Sequence, residues 1–247
     1  VILILIFCGG IFYLICFASI FQIKEIKISG NEKIPSENIS SLVEEKTIKK
    51  FLFLESRSIF LANFKEMKKN ILEKFPQIWQ VSLKRGFPNT IFIQIEERKP
   101  VAIFCQDENN FLIDKEGIIF EKLNNIENPV NIGYPTVRLQ NLTLKGNLNL
   151  GEKAIEKELL SKILEINSKL NENLKIQIVE ASIVSEERLN VKTSEGWEVY
   201  FNLKEDLNWQ LTKLSLVLKE RIPPEKRGNL KYIDLRFGKI YVFPETY

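Results

Sequence analysis

RGFPNTIFIQIEERKPVAIFCQDENNFLIDKEGIIF, residues 85–120, is the stretch from which the rest of the chain can be read. Gly86-Phe87-Pro88-Asn89 is turn chemistry, and TIFIQIEER after it sets Ile91, Ile93 and Ile95 on one inward face of a strand. Past Pro100 the rhythm changes to short strands, VAIFC and NNFLI, then a tight DKEG turn and IIF. Asp114 opens that turn, and Gly117 can take a positive φ there. Two units are therefore expected to meet near Pro100.

Upstream, IWQVSLKR predicts a strand with Trp79, Val81 and Leu83 on one face. Pro76 stops a helix over about Leu61 to Lys74, with Phe64, Met67, Ile71, Leu72 and Phe75 on its inner side. Before it, Ser36 is expected to cap a short helix bearing Ile39, Leu42 and Val43, and Lys50 to Phe60 reads as a link. IKEIKIS at 23–29 alternates as a strand and ends in the turn pair Gly30-Asn31. The order strand, helix, helix, strand, strand predicts an α+β unit with both helices on one face of a three-stranded sheet.

Downstream, residues 124–151 are rich in Asn and Gly and are expected to be loops holding one or two strands, such as Thr136 to Leu139. A helix is predicted from about Glu152 to Leu170, on a stripe of Ile155, Leu159, Ile163, Ile166 and Leu170. Strands follow at about 175–183, 188–194 and 196–202, then a helix capped by Asp206, then KYIDLRF and KIYVF around Gly238.

From Val1 to Ile23 no residue is charged, and a helix of that run covers roughly 33 Å against a hydrocarbon core of about 30 Å. It reads as a transmembrane helix, assigned to residues 1–22. It is too long for the apolar core of a cleaved signal and lacks an A-x-A site. The chain opens on Val1 and not Met, so a preceding segment is expected. Lys24 and Lys27 alone would draw the residues after the run toward the cytoplasm.

There is no histidine in the chain. That removes hydrolases built on a His base, most zinc hydrolases and His-carboxylate iron sites. No P-loop or G-x-G-x-x-G is present. Glu96-Glu97 and Glu186-Glu187 are adjacent pairs, which on a strand point to opposite faces and cannot share a substrate. A net charge of +3 without a long basic block gives no footprint for nucleic acid. Only Cys105 lies outside the apolar run, so no disulfide is expected to hold the later units. Asn38-Ile39-Ser40 and Asn141-Leu142-Thr143 carry no weight in so Asn-rich a chain. No catalytic residue, cofactor or metal site is expected.

Six motifs in order resemble one family. They are I-x-x-I-x-I-x-G-N at Ile23 to Asn31, R-x-x-P-x-T-I at Arg85 to Ile91, and E-R-x-P-V-A at Glu97 to Ala102. F-L-I-D-x-x-G-x-x-F at Phe111 to Phe120, G-W-x-V-x-F at Gly196 to Phe201 and Y-I-D-L-R-F at Tyr232 to Phe237 complete them. Each alone is weak, but their order and spacing resemble the FtsQ/DivIB family of bacterial cell-division proteins over nearly the whole chain. The resemblance implies one transmembrane helix (1–22), a POTRA domain (23–99) and a mainly antiparallel β-domain with helices (100–247). It also implies that residues 24–247 lie outside the cytoplasmic membrane, at the division septum, against the pull of Lys24 and Lys27.

The resemblance further implies a non-enzymatic scaffold joining FtsL-like and FtsB/DivIC-like proteins, with a partner strand added along the last strand of the β-domain. That strand maps to Arg236, Phe237, Gly238, Lys239, Ile240, Tyr241 and Val242. Ile240 and Val242 alternate with Lys239, Tyr241 and Phe243, which gives one face to the core and an aromatic face to a partner. A basic residue used by some members on an earlier strand falls on Glu186-Glu187 here, with Arg188 next to them. Two other readings compete. A POTRA-bearing transport or membrane-assembly component predicts further repeats or barrel strands, and a membrane-anchored cell-wall enzyme requires a paired acid and base in a cleft.

Overall fold

A computed structural model of the chain describes residues 2–51, 54–123, 134–139 and 148–244, so the expected strands and loops within 124–133 and 140–147, and the triplet at 141–143, lie outside the described residues. Two compact units divide at Arg98 and Lys99.

Unit 1 begins with α1 (Ile2–Phe17), a helix without a charged residue. Here the structure overturns the expected transmembrane helix: among the described residues no helix is long and apolar enough to cross a membrane. Sixteen residues rise about 24 Å, short of a hydrocarbon core of about 30 Å. The rest of the uncharged run is used otherwise. The Ser58 hydroxyl donates to the Ile15 carbonyl at 2.6 Å, the Ser56 hydroxyl to the Cys16 carbonyl, and Gln22 Nε2 to Cys16 O at 2.9 Å. These side chains satisfy the carbonyls that a helix end leaves open. Gln22 then bridges Ser58 as paired backbone.

The remainder of unit 1 is β1 (Glu25–Ser29), α2 (Ser36–Thr47), β2 (Lys49–Phe51), β3 (Leu54–Ser56), α3 (Phe64–Lys74), β4 (Ile78–Gly86) and β5 (Thr90–Glu97). The sheet order is β1-β5-β4, with β1 parallel and β4 antiparallel to β5. Ile39, Leu42 and Val43 of α2 and Met67 and Ile71 of α3 close on Val81, Ile91, Ile93 and Ile95. Three details depart from expectation. Ser36 is the first helical residue, and its hydroxyl accepts from Asn31 Nδ2 at 3.0 Å. The expected link at 50–60 contains the hairpin β2–β3. Trp79 is 37% exposed while Ile78 is buried, because a bulge between Ile78 and Gln80 shifts which residues face the core.

Arg85 and Glu97 act inside this unit. Arg85 Nε donates to Ile59 O at 2.9 Å, its Nη2 donates to Ala62 O at 3.0 Å, and its guanidinium lies 4.5 Å from the Phe64 ring centre. The Glu97 carboxylate accepts the backbone N–H groups of Glu32, Lys33 and Ile34. Arg98 Nε donates to Pro76 O at 3.0 Å.

Unit 2 contains β6 (Ala102–Gln106), β7 (Asn109–Ile113), β8 (Ile119–Leu123), β9 (Thr136–Leu139), α4 (Lys157–Leu174), β10 (Ile178–Ile183), β11 (Arg188–Thr193), β12 (Glu198–Asn202), α5 (Leu207–Glu220), β13 (Tyr232–Asp234) and β14 (Tyr241–Phe243). The described strands form one mixed sheet in the order β14-β13-β12-β11-β10-β9-β6-β7-β8. Buried residues of α4 (Leu160, Ile163, Ile166, Leu170) and α5 (Leu214, Val217, Leu218) pack with Val191, Trp197, Val199, Phe201 and Ile233. α4 starts later than its apolar stripe does, because Lys153 bridges Ile118 and the Ala154 N–H donates to Gly117 O at 2.9 Å. At the DKEG turn, Asp114 Oδ1 accepts the N–H groups of Glu116 and Ile118, and Gly117 has φ +78°.

Candidate functional site

The expected partner strand is shorter than its sequence reading. Asp234 closes β13 by accepting the Arg236 N–H at 3.1 Å, and Arg236 to Ile240 then form the connection to β14. β14 pairs with β13 antiparallel, Asp234 opposite Tyr241 and Tyr232 opposite Phe243. Among the described residues it terminates the sheet on this side, so its outer edge faces no strand.

Alternation along these strands sorts the side chains. Ile240 and Val242 pack against the unit 2 core, while Phe237, Tyr241 and Phe243 are each about half exposed. Gly238 and Lys239 are exposed at the turn, and a Cβ on Gly238 would meet open space. On the face away from the helices, Tyr200 of β12, Tyr232 of β13 and Phe243 of β14 form a row. Their ring centres are 5.0 and 5.4 Å apart and their planes 22° and 14° from parallel. Phe237 meets Tyr241 edge-on at 5.9 Å. Offset aromatic pairs of this kind hold one another in place, so the row is already ordered before anything binds.

Two arginines frame it. Arg188 lies 4.8 Å from the Tyr200 ring centre, with Nε donating to Asn190 Oδ1 at 2.9 Å. Arg236 lies 5.6 Å from the same ring and 5.2 Å from that of Phe237. It also donates in bidentate fashion to Asp234, Nε to Oδ1 at 2.9 Å and Nη2 to Oδ2 at 2.6 Å. Burial pushes the Asp234 carboxyl up, but the hydrogen bonds and charge of Arg236, with a further contribution from Arg188, hold it below its ordinary value. Burial, then the charge of Glu198 and its hydrogen bond, raise the Tyr200 phenol, and Arg188 opposes them. Arg236 is thus committed to an internal ion pair, and Arg188 to the face of Tyr200.

The structure therefore brings Arg188 to the same face as Arg236, Phe237 and Tyr241. Sequence reasoning missed Tyr200, Tyr232 and Asp234 as members of that face. Their strand alternation was visible, since Tyr200 sits between Val199 and Phe201 and Tyr232 precedes Ile233. What was not visible was that β12 and β13 are neighbours of β14. Among the described residues no group of three or more His, Cys, Asp or Glu is placed to hold a metal ion.

Fold and face together define a two-unit chain whose second sheet ends in an open, aromatic-rich edge. Residues 21–98 match the family described as POTRA domain, FtsQ-type, and residues 102–236 match Cell division protein FtsQ/DivIB, C-terminal. The chain is 31% identical to cell division protein DivIB of Clostridium acetobutylicum over 221 residues, covering 88% of this chain and 80% of that protein. It is 28% identical to DivIB of Clostridium tetani over 231 residues, 90% of this chain and 79% of that protein. A shorter match, 34% over 103 residues, joins 41% of this chain to 35% of cell division protein FtsQ of Rickettsia typhi. The chain belongs to the FtsQ/DivIB family of cell division proteins.

Proposed function

We propose that this protein is a non-enzymatic scaffold of the division machinery that binds the extracytoplasmic segments of FtsL-like and FtsB/DivIC-like proteins at the septum. Residues 24–247 then act on the outer side of the cytoplasmic membrane. The site is the open edge of β14, where a partner strand pairs with the backbone and Arg188, Arg236, Phe237, Gly238, Lys239, Ile240, Tyr241 and Val242 form or support the contact. The observation that carries the reading is the position of β14, last in the sheet with half-exposed aromatics beside it. An edge offers unpaired N–H and C=O groups, and half-exposed aromatic rings ordered by their neighbours are effective anchors.

The test is binding of the full chain to those segments from the same organism, with Tyr241→Glu, Phe243→Glu and Ile240→Pro as variants. Each glutamate places a charge on the aromatic face, and affinity is expected to fall about tenfold or more. The proline removes a backbone donor beside the edge. Folded variants that all bind as the parent does would move the interface elsewhere.

A further inference from the structure

The helices α2 and α3 cover one face of the unit 1 sheet, and alternation along the strands builds the other. Lys27 and Ser29 of β1, Phe92 and Gln94 of β5, and Ser82 and Lys84 of β4 line a recess of about 280 Å³ there, near the lower end of the range for ligand sites. Register sets them in two rows across three strands. Lys27 and Lys84 both stand opposite Phe92, and Ser29 and Ser82 both stand opposite Gln94. The first row is an aromatic ring between two ammonium groups. The second is neutral and offers both donors and acceptors.

The ring is fixed in place. A Cβ on Gly86 would lie 2.3 Å from Phe92 Cε2, so the ring lies across the glycine. The Lys27 ammonium stands 5.9 Å from the ring centre. Phe92 is nevertheless 46% exposed, although it belongs to the central strand. A ring held in one position and left half exposed is available to an apolar group.

The charges decide what fits. On this face they are Glu25 and Lys27 of β1, Lys84 of β4 and Glu96 of β5. Among the described residues Lys84 has no carboxylate within ion-pair distance. Lys27 pairs with Glu25 at 3.3 Å, but both side chains are more than half exposed, so the pair contributes little and is open to exchange. Glu25 also has the Thr90 hydroxyl at 3.4 Å. The cations thus occupy one row, with a glutamate toward each end of the face. A polyanion broad enough to cover the face would meet Glu25 or Glu96 as well and be repelled. A short peptide with carboxylates only over the lysine row escapes that penalty, and the serines and Gln94 can hydrogen-bond its backbone.

We propose that this face of unit 1 binds an acidic peptide segment of a partner protein, an apolar side chain of the segment resting on Phe92 and its carboxylates meeting Lys84 and Lys27. The reading is independent of the β14 edge.

The experiment titrates the isotope-labelled full chain, in zwitterionic micelles, with the end-blocked peptide Glu-Ser-Leu-Ser-Glu and reads amide NMR signals. When extended, that peptide presents both carboxylates and the leucine on one side. Signals around Lys27, Lys84 and Phe92 are expected to shift saturably at millimolar concentration or below. Lys84→Glu and Phe92→Ser should each raise the half-saturating concentration about tenfold, with amide dispersion staying that of the folded chain. Tyr241→Glu should bind the peptide as the parent chain does. No saturable shift on this face at millimolar peptide would overturn the proposal. Equal shifts with Gln-Ser-Leu-Ser-Gln would overturn the role of the lysines. Heparin acting on the same signals at lower concentration would overturn the choice of a peptide.

Discussion

Cys105 and Asp234 show how one side chain's surroundings set its chemistry. Cys105 is buried on β6 with its Sγ 2.7 Å from Asn110 Oδ1, and burial pushes its thiol up to about 11. The thiolate is the reactive form, so Cys105 is expected to resist alkylation near neutral pH in the folded chain, while the exposed Cys8 reacts. Mass spectrometry after brief iodoacetamide treatment checks this, and rapid modification at Cys105 would contradict it. Asp234 titrates in the other direction. Its folded value is depressed, so the stability it contributes is complete above the ordinary value of 3.8 and is lost as pH falls below it. Asp234→Asn should remove that part of the acid sensitivity, which denaturant titrations of both chains between neutral and acid pH would reveal. Both residues stood plainly in the sequence. Their environments did not, because Asn110 reaches Cys105 only across the β6–β7 turn, and Arg236, two residues on, folds onto Asp234 only as the chain leaves β13.

Elements were legible where a local period governs them. Ile91, Ile93 and Ile95 alternate as a strand must, and Ile163, Ile166 and Leu170 repeat as a helix must, although the buried leucine of the first turn is Leu160 and not the expected Leu159. The DKEG turn was legible too, and its glycine is required twice over: φ is +78°, and a methyl there would lie 2.1 Å from the Ile155 carbonyl oxygen. Gly117→Ala should therefore destabilise unit 2 by about 2 kcal/mol or more, measured by chemical denaturation. Ends and irregularities were harder to read. The Asn63 side chain caps α3 by accepting the Glu66 N–H, although the apolar pattern ran on toward Leu61. Beyond the β11–β12 turn, buried Arg227 holds Glu195 at 3.0 Å, and the same carboxylate accepts from Trp197 Nε1 at 2.8 Å. Glu195→Gln leaves Arg227 buried without its counter-charge and should cost about 3 kcal/mol. A loss well under that in urea denaturation would mean that the carbonyls of Ile222 and Leu218 suffice for the guanidinium.

For the whole molecule the governing fact is that there are two principal cores with no shared member, one in each compact unit. Truncating Ile71, fully buried between α2 and α3 and the sheet of unit 1, should cost about 2–5 kcal/mol. Hydrogen exchange should show the loss in β1, β4 and β5, with β10 to β12 as the comparison. An equal loss of protection in both sets would contradict separate cores.

What the sequence determined by itself was most of what has a short period or a fixed local geometry: strands that alternate without a bulge, the helical stripes, the DKEG and Gly30 turns, and the six motifs that mark the family. Such features depend on residues within one or two turns of each other, so they can be read along the chain. Only the tertiary structure decided that α1 stops at Phe17, where Ser56 and Ser58 take its last carbonyls from about forty residues away. Only it placed β14 at the end of the sheet and lined up Tyr200, Tyr232 and Phe243 across three strands. Strand order and helix termination are settled by hydrogen bonds between distant segments. No period along the chain encodes which of those segments will meet.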